Sequence, residues 1–233
     1  MSVSLKNAYA SAGDMNVFVL DWGRLSGGEI MLGNTIRTMS AYRAVLSNVA
    51  PVGRRVAEFL SFLRDSKHIN FYDVTIVGES LGAHVAANAA QAVKIVSGEK
   101  IGRVVGLDPA GPFTQNIKTL HKQDAYFVDI YHTNWGLLGT TSDAGHVNVY
   151  VNGGTSQPGC LQADFTGLMG FCSHSYSWRF FLAAFDKGYV ACPCSIACKC
   201  PRCENICANG IIVGPNISRR TRGLYYVRSG PLA

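Results

Sequence analysis

The segment Gly78-Glu79-Ser80-Leu81-Gly82 constrains the fold more than any other part of the chain. It lies between a β-branched run, Val74 to Val77, and a stretch rich in alanine (Ala83, Ala86, Ala87, Ala89 and Ala90). A serine on a turn between a strand and a helix is lifted out of the sheet. The turn is so tight that neighbouring side chains would clash, and glycine two residues before and two after removes those clashes. The helix that starts there points its N-terminal dipole and the Leu81 amide at negative charge developing beside the hydroxyl. These five residues therefore predict a strand, a nucleophilic serine and a helix, in that order.

The flanking sequence repeats the alternation. Val17 to Leu20, Gly102 to Leu107, Tyr126 to Tyr131 and Val147 to Val151 read as further strands, and Leu224 to Val227 as a last strand at an edge. From Tyr42 to Leu63, Val45, Val49, Val52, Val56, Phe59 and Leu63 recur at helical spacing, with Pro51 expected to kink or divide the helix. Ser175 to Phe185 reads as another helix. Strands alternating with helices predict an α/β class: a mostly parallel sheet with helices on both faces. With 233 residues, 48% apolar and 15% charged, the chain can bury a substantial core, which excludes wholesale disorder. No run approaches the roughly 18 apolar residues that span a bilayer as a helix. Of the 21 Lys and Arg and 15 Asp and Glu, residues 193–233 hold 6 and 1. That basic tail lacks aromatic interleaving and any nucleic-acid fold signature, so a solvated surface is expected there and no nucleic-acid partner.

A serine hydroxyl needs a base, and the base needs an orienting carboxylate. Asp108 follows a strand at the sheet edge where Ser80 also emerges; Asp129 lies inside a strand, and Asp143 and Asp164 lie in loops. Candidate bases are His84, His121, His132, His146 and His174. His84 sits one helical turn beyond Ser80 and is expected to pack. His132 and His146 bracket a loop and are expected to bond each other or the backbone. Ser80, Asp108 and His174 follow the Ser, Asp, His chain order of α/β-hydrolases.

The strings Gly78 to His84, Gly106 to Pro112, Asp124 to Thr133, Gly145 to Gly154, Gln157 to Cys160 and Cys172 to His174 closely resemble the pancreatic-lipase-like family. That family includes insect lipases, wasp-venom phospholipases A1 and dipteran yolk proteins. The likeness keeps the family's order from about Asn16 to Tyr226. It implies the α/β-hydrolase fold and the triad Ser80, Asp108 and His174, with the Leu81 amide in the oxyanion hole and no metal or other cofactor in the chemistry. The implied activity is a serine lipase or carboxylic ester hydrolase cleaving acyl esters of glycerolipids, whether triacylglycerol or phospholipid. Its partner is a lipid surface, met peripherally. The alternative is a non-catalytic lipid-binding or storage relative.

In the resembled family the loop between Cys160 and Cys172 is the lid. Here it carries Leu161, Phe165, Leu168, Met169 and Phe171, apolar groups suited to covering an acyl site and turning toward lipid. A disulfide closing a loop of that size stabilises by about 3 kcal/mol in the chain-entropy model. This loop and the one from Thr133 to Gly145 are short, as in the phospholipase A1 branch. Cys192, Cys194, Cys198, Cys200, Cys203 and Cys207 have spacings that also suit zinc; the resemblance favours disulfides, with the pairing open. Eight cysteines after position 159 and the sequon Asn216-Ile217-Ser218 point to a secreted, glycosylated protein, although Met1 to Asp14 does not read as a signal peptide.

The resemblance also has gaps. Family members carry strands and a His-Gly-Phe-like loop ahead of Val17, and that loop supplies a second oxyanion amide. Losing one such donor typically costs about a hundred- to a thousandfold in rate. Residues 1–233 are therefore expected to form a single, partial catalytic domain, shortened at the N-terminus and lacking the first strands, without a C-terminal lipid-binding sandwich.

Overall fold

Strands β2 (Ile101–Leu107) and β3 (Ala125–His132) are almost wholly buried, as near-continuous apolar runs in a parallel sheet must be. They lie at the heart of the computed structural model, which describes residues 1–26, 35–165, 170–195, 207 and 209–232. Around them are β1 (Thr75–Glu79), β4 (Val147–Val151), β5 (Val190–Cys194), β6 (Ile211–Ile212) and β7 (Gly223–Val227). The seven strands of the described residues run in the order β1-β2-β3-β4-β7-β5-β6. From β1 to β7 every pairing is parallel, and β5 and β6 add antiparallel ribbons.

The period-2 alternation of side chains sorts the core into two layers. Val105, Leu107, Phe127 and Tyr131 face helix α5 (Phe171–Ala183), which contributes Tyr176, Phe180 and Phe181, and helix α1 (Ser2–Ala12), which contributes Leu5. Val104, Val128 and Ile130 face the opposite way, onto α3 (Leu81–Ser97) and α2 (Thr35–Asp65). The result is a mostly parallel sheet with helices on both faces, the α/β-hydrolase fold. On the α5 side, Arg103 and Asp129 form a buried ion pair at 2.6 Å, and Arg103 also donates to the carbonyls of Gly214 and Pro215.

Three expectations are corrected. Val17 to Leu20 is not a strand: no described strand pairs with it, and Phe18, Val19 and Leu20 are exposed, so strand propensity has no ladder to join. Pro51 does not divide the helix, since α2 runs through it as one element. Val49 and Val52 are buried on either side of the proline, and a Cβ on Gly53 would meet Asn88 of α3 at 2.6 Å. Packing this close outweighs the local penalty of about 3 kcal/mol for an interior proline. Strand β7 is not an edge; it lies between β4 and β5. Helix α1 is not among the helices expected above; it docks on the core through Leu5 and Tyr9.

Candidate active site

Strand β1 delivers Ser80 to the carboxyl edge of the sheet, beside the end of β2, because Glu79 is in register with Leu107. Ligands bind at this edge in open α/β sheets. Ser80 has φ 54 and ψ −123, a conformation that an L-residue with a side chain holds only under constraint. Its N–H donates to the Leu107 carbonyl at 3.0 Å, which fixes the turn to the neighbouring strand. A Cβ on Gly78 would lie 2.2 Å from the Gly82 carbonyl oxygen, so only glycine permits helix α3 to start so close to β1. Gly82 differs from the expectation: a Cβ there would meet nothing within 4 Å. The steric demand for glycine therefore falls on one side of the turn, at Gly78. Leu81 opens α3, so its amide is one of the first-turn donors that the helix itself cannot satisfy.

Asp108, just beyond β2, is fully buried, with positive φ (42°). Its Oδ2 lies 2.6 Å from His174 Nδ1. Its Oδ1 accepts the backbone N–H groups of Thr133 (2.9 Å) and Asn134 (3.1 Å), which follow β3. Each oxygen thus has a partner, as a buried carboxylate requires. His174 sits in the first turns of α5, and its ring is nearly buried. His174 and the half-buried Ser80 line one cleft of about 1720 Å³, which runs along β1 and is walled by apolar groups such as Phe18, Phe59, Val77 and Phe171. Burial pushes the Glu79 carboxyl up to about 7, while the nearby His174 pulls it back.

The other candidates separate from this site. His84 is buried: Leu120 N–H donates to its Nδ1 at 3.2 Å, so Nε2 carries the hydrogen and donates to the Ala110 carbonyl at 2.8 Å. Burial lowers its basicity. His146 accepts from Val128 N–H, and His132 stacks on Tyr150 and bonds Asn148, so the two histidines do not bond each other. His121 accepts from Gln123 N–H. Asp129 is engaged by Arg103, and Asp143 by Tyr150.

In the loop expected to be a lid, Cys160 and Cys172 are joined by a disulfide, and Leu161 and Phe165 on α4 (Leu161–Phe165) are 68% and 88% exposed. Leu168 and Met169 lie outside the described residues, as do Cys198, Cys200 and Cys203. Cys192 pairs with Cys207, and Cys194 is also disulfide-bonded. Thr133, Asn134 and Gly139 were missed from sequence. The first two act through backbone amides, which carry no residue signature. Gly139 is required because a Cβ would lie 2.5 Å from Asp108 Oδ1, a contact made across the fold.

Comparison with known proteins identifies the family. The chain is 36% identical over 190 residues to Lipase member H-A of Xenopus laevis, an alignment covering 78% of this chain and 37% of that protein. It is 32% identical over 214 residues to Phospholipase A1 of Vespula squamosa, covering 88% of this chain and 68% of that protein. Identity to Pancreatic lipase-related protein 3 of Homo sapiens is 31% over 206 residues, covering 78% and 40%. The chain thus spans little more than a third of the length of the first of these relatives. A family model described as Lipase matches residues 3–197, most of the chain, and with a strained serine at the strand–helix turn and a buried Asp–His pair on the same sheet edge, the chain belongs to the Lipase family.

Proposed function

We propose that the chain hydrolyses acyl esters of glycerolipids through an acyl-serine intermediate. Ser80 attacks the ester carbonyl as His174 takes its proton and then delivers that proton to the leaving alcohol; water repeats the sequence to release the fatty acid. Asp108 holds the proton on Nδ1, leaving Nε2 as the base, and stabilises the imidazolium that forms. The Leu81 amide, at the start of α3, meets the oxyanion. The observation that carries this reading is the 2.6 Å Asp108–His174 contact, buried beside a cleft that Ser80 also lines.

The apolar cleft and the exposed Leu161 and Phe165 support an acyl substrate met at a lipid surface. The short disulfide-closed loop and the 88% coverage by the Vespula squamosa phospholipase A1 favour a phospholipid over a triacylglycerol. The disulfides and the exposed Asn216 of the sequon support secretion and glycosylation. A second reading, lipid carriage without turnover, draws on cleft size: about 1720 Å³ exceeds the roughly 300–1,000 Å³ of ordinary small-molecule pockets.

A fluorescent alkyl phosphonate directed at serine tests the proposal. The chain should be labelled, Ser80→Ala should not, and hydrolysis of phosphatidylcholine should exceed that of a triacylglycerol emulsion. Failure to label, with stoichiometric binding of a fluorescent fatty acid, would replace the enzyme reading with the carrier.

A further inference from the structure

Asp164 belongs to α4, inside the disulfide-closed loop, yet its carboxylate serves a different helix. Oδ1 accepts from Cys172 N–H at 2.9 Å and from Ser173 N–H at 3.3 Å, and Oδ2 accepts the Ser173 hydroxyl at 2.5 Å. These are first-turn groups of α5, whose capping residue is Gly170 and offers no side-chain acceptor. A carboxylate at this end also meets the positive pole of the helix dipole. The next residue along α5 is His174.

The bonds continue inward. Ser173 Oγ accepts from Gln157 N–H at 2.9 Å, and Gln157 Nε2 donates to the carbonyls of Thr133 and Val151, both at 2.9 Å. The hydroxyl of Thr133 donates to the His174 carbonyl at 3.3 Å, and its N–H donates to Asp108 Oδ1. Ser173, Gln157 and Thr133 are all buried, so each lost partner would leave a group without water to replace it. One connected network therefore leads from Asp164 to both partners of the Asp108–His174 bond.

We infer that Asp164 is a positioning residue for His174: by gripping the first turn of α5 it fixes where the imidazole meets Asp108. The inference rests on the acyl-transfer role proposed for Ser80 and His174. A helix shifted by even about 1 Å at this point would misplace the base, an error that can cost about a hundredfold in rate. A carboxylate that merely stabilised the helix would alter melting temperature without touching the proton between His174 and Asp108.

The test uses the full chain as wild type, Asp164→Ala, Asp164→Asn and Ser173→Ala. Two quantities are read: the far-downfield proton NMR signal of the His174 Nδ1–H bonded to Asp108, and the rate of phosphonate labelling at Ser80. Asp164→Ala should shift or broaden the signal and slow labelling by about ten- to a hundredfold. Asp164→Asn keeps one acceptor and should recover part of both. Wild-type signal and rate in Asp164→Ala would overturn the inference. Where Asp164→Ala does not fold, Asp164→Asn keeps the shape but weakens the grip, and a wild-type signal and rate in that variant would overturn the inference equally; Ser173→Ala keeps the two backbone bonds and should change both readouts less than Asp164→Ala. A wild-type chain that shows the proton, sensitive to Asp164, yet takes no label would uphold the positioning role and refute the esterase reading. A wild-type chain with neither proton nor label would refute both.

Discussion

Replacing Glu79 by glutamine isolates the energetic consequence of placing a carboxyl next to the nucleophile. The side chain is half-buried on β1, and the charges that reach it are His174 and Arg179 on α5, Asp108 beyond β2, and the amino group of Met1. Burial raises its pKa from 4.5 to about 7. Between those values the folded chain keeps a proton that the unfolded chain has released, so stability falls as pH rises through that window. At about 1.4 kcal/mol per pH unit the fold loses about 3 kcal/mol by the upper end. Glu79→Gln removes the titration while keeping the shape. Urea unfolding should therefore show the variant more stable than wild type by about 2–3 kcal/mol above about pH 8, and nearly equal to it at about pH 5. No gain at the higher pH would show that Glu79 is solvated in the folded chain, and an equal gain at both pH values would show a cause other than its titration; either result refutes the reasoning.

Two further outcomes follow from contacts at and behind the site. Gly139→Ala should cost about 1–3 kcal/mol and slow phosphonate labelling, because the added methyl would stand 2.5 Å from Asp108 Oδ1; labelling at the wild-type rate would mean that the loop moves aside freely. Arg103→Met should cost about 3–5 kcal/mol by leaving Asp129 buried without its cation, whereas Arg103→Met with Asp129→Leu should recover most of that loss. A double variant no more stable than the single one in urea unfolding would refute that account.

The elements visible from the sequence are those whose cause is local. The strand before Ser80, the helix after it, and strands β2, β3 and β4 follow from β-branched runs, alanine content and glycine spacing. Val17 to Leu20 carries the same strand signal and forms none, because a strand exists only through the ladder it joins. Likewise Pro51 reads locally as a kink or a division, and the division does not occur because α2 packs closely on α3 beside it.

The site divides along the same line. Ser80 is marked by its own neighbours, since a tight strand–helix turn must be written into consecutive residues. Asp108 and His174 were proposed from chain order and family likeness, and their 2.6 Å contact exists because β2 and α5, 66 positions apart at these residues, meet across the sheet edge. The amides of Thr133 and Asn134 and the grip of Asp164 on α5 leave no local trace at all. Dihedral preferences and side-chain periodicity act over a few residues and can be read along the chain. Hydrogen bonds between distant segments depend on strand register and helix placement, which follow from burying the whole core at once.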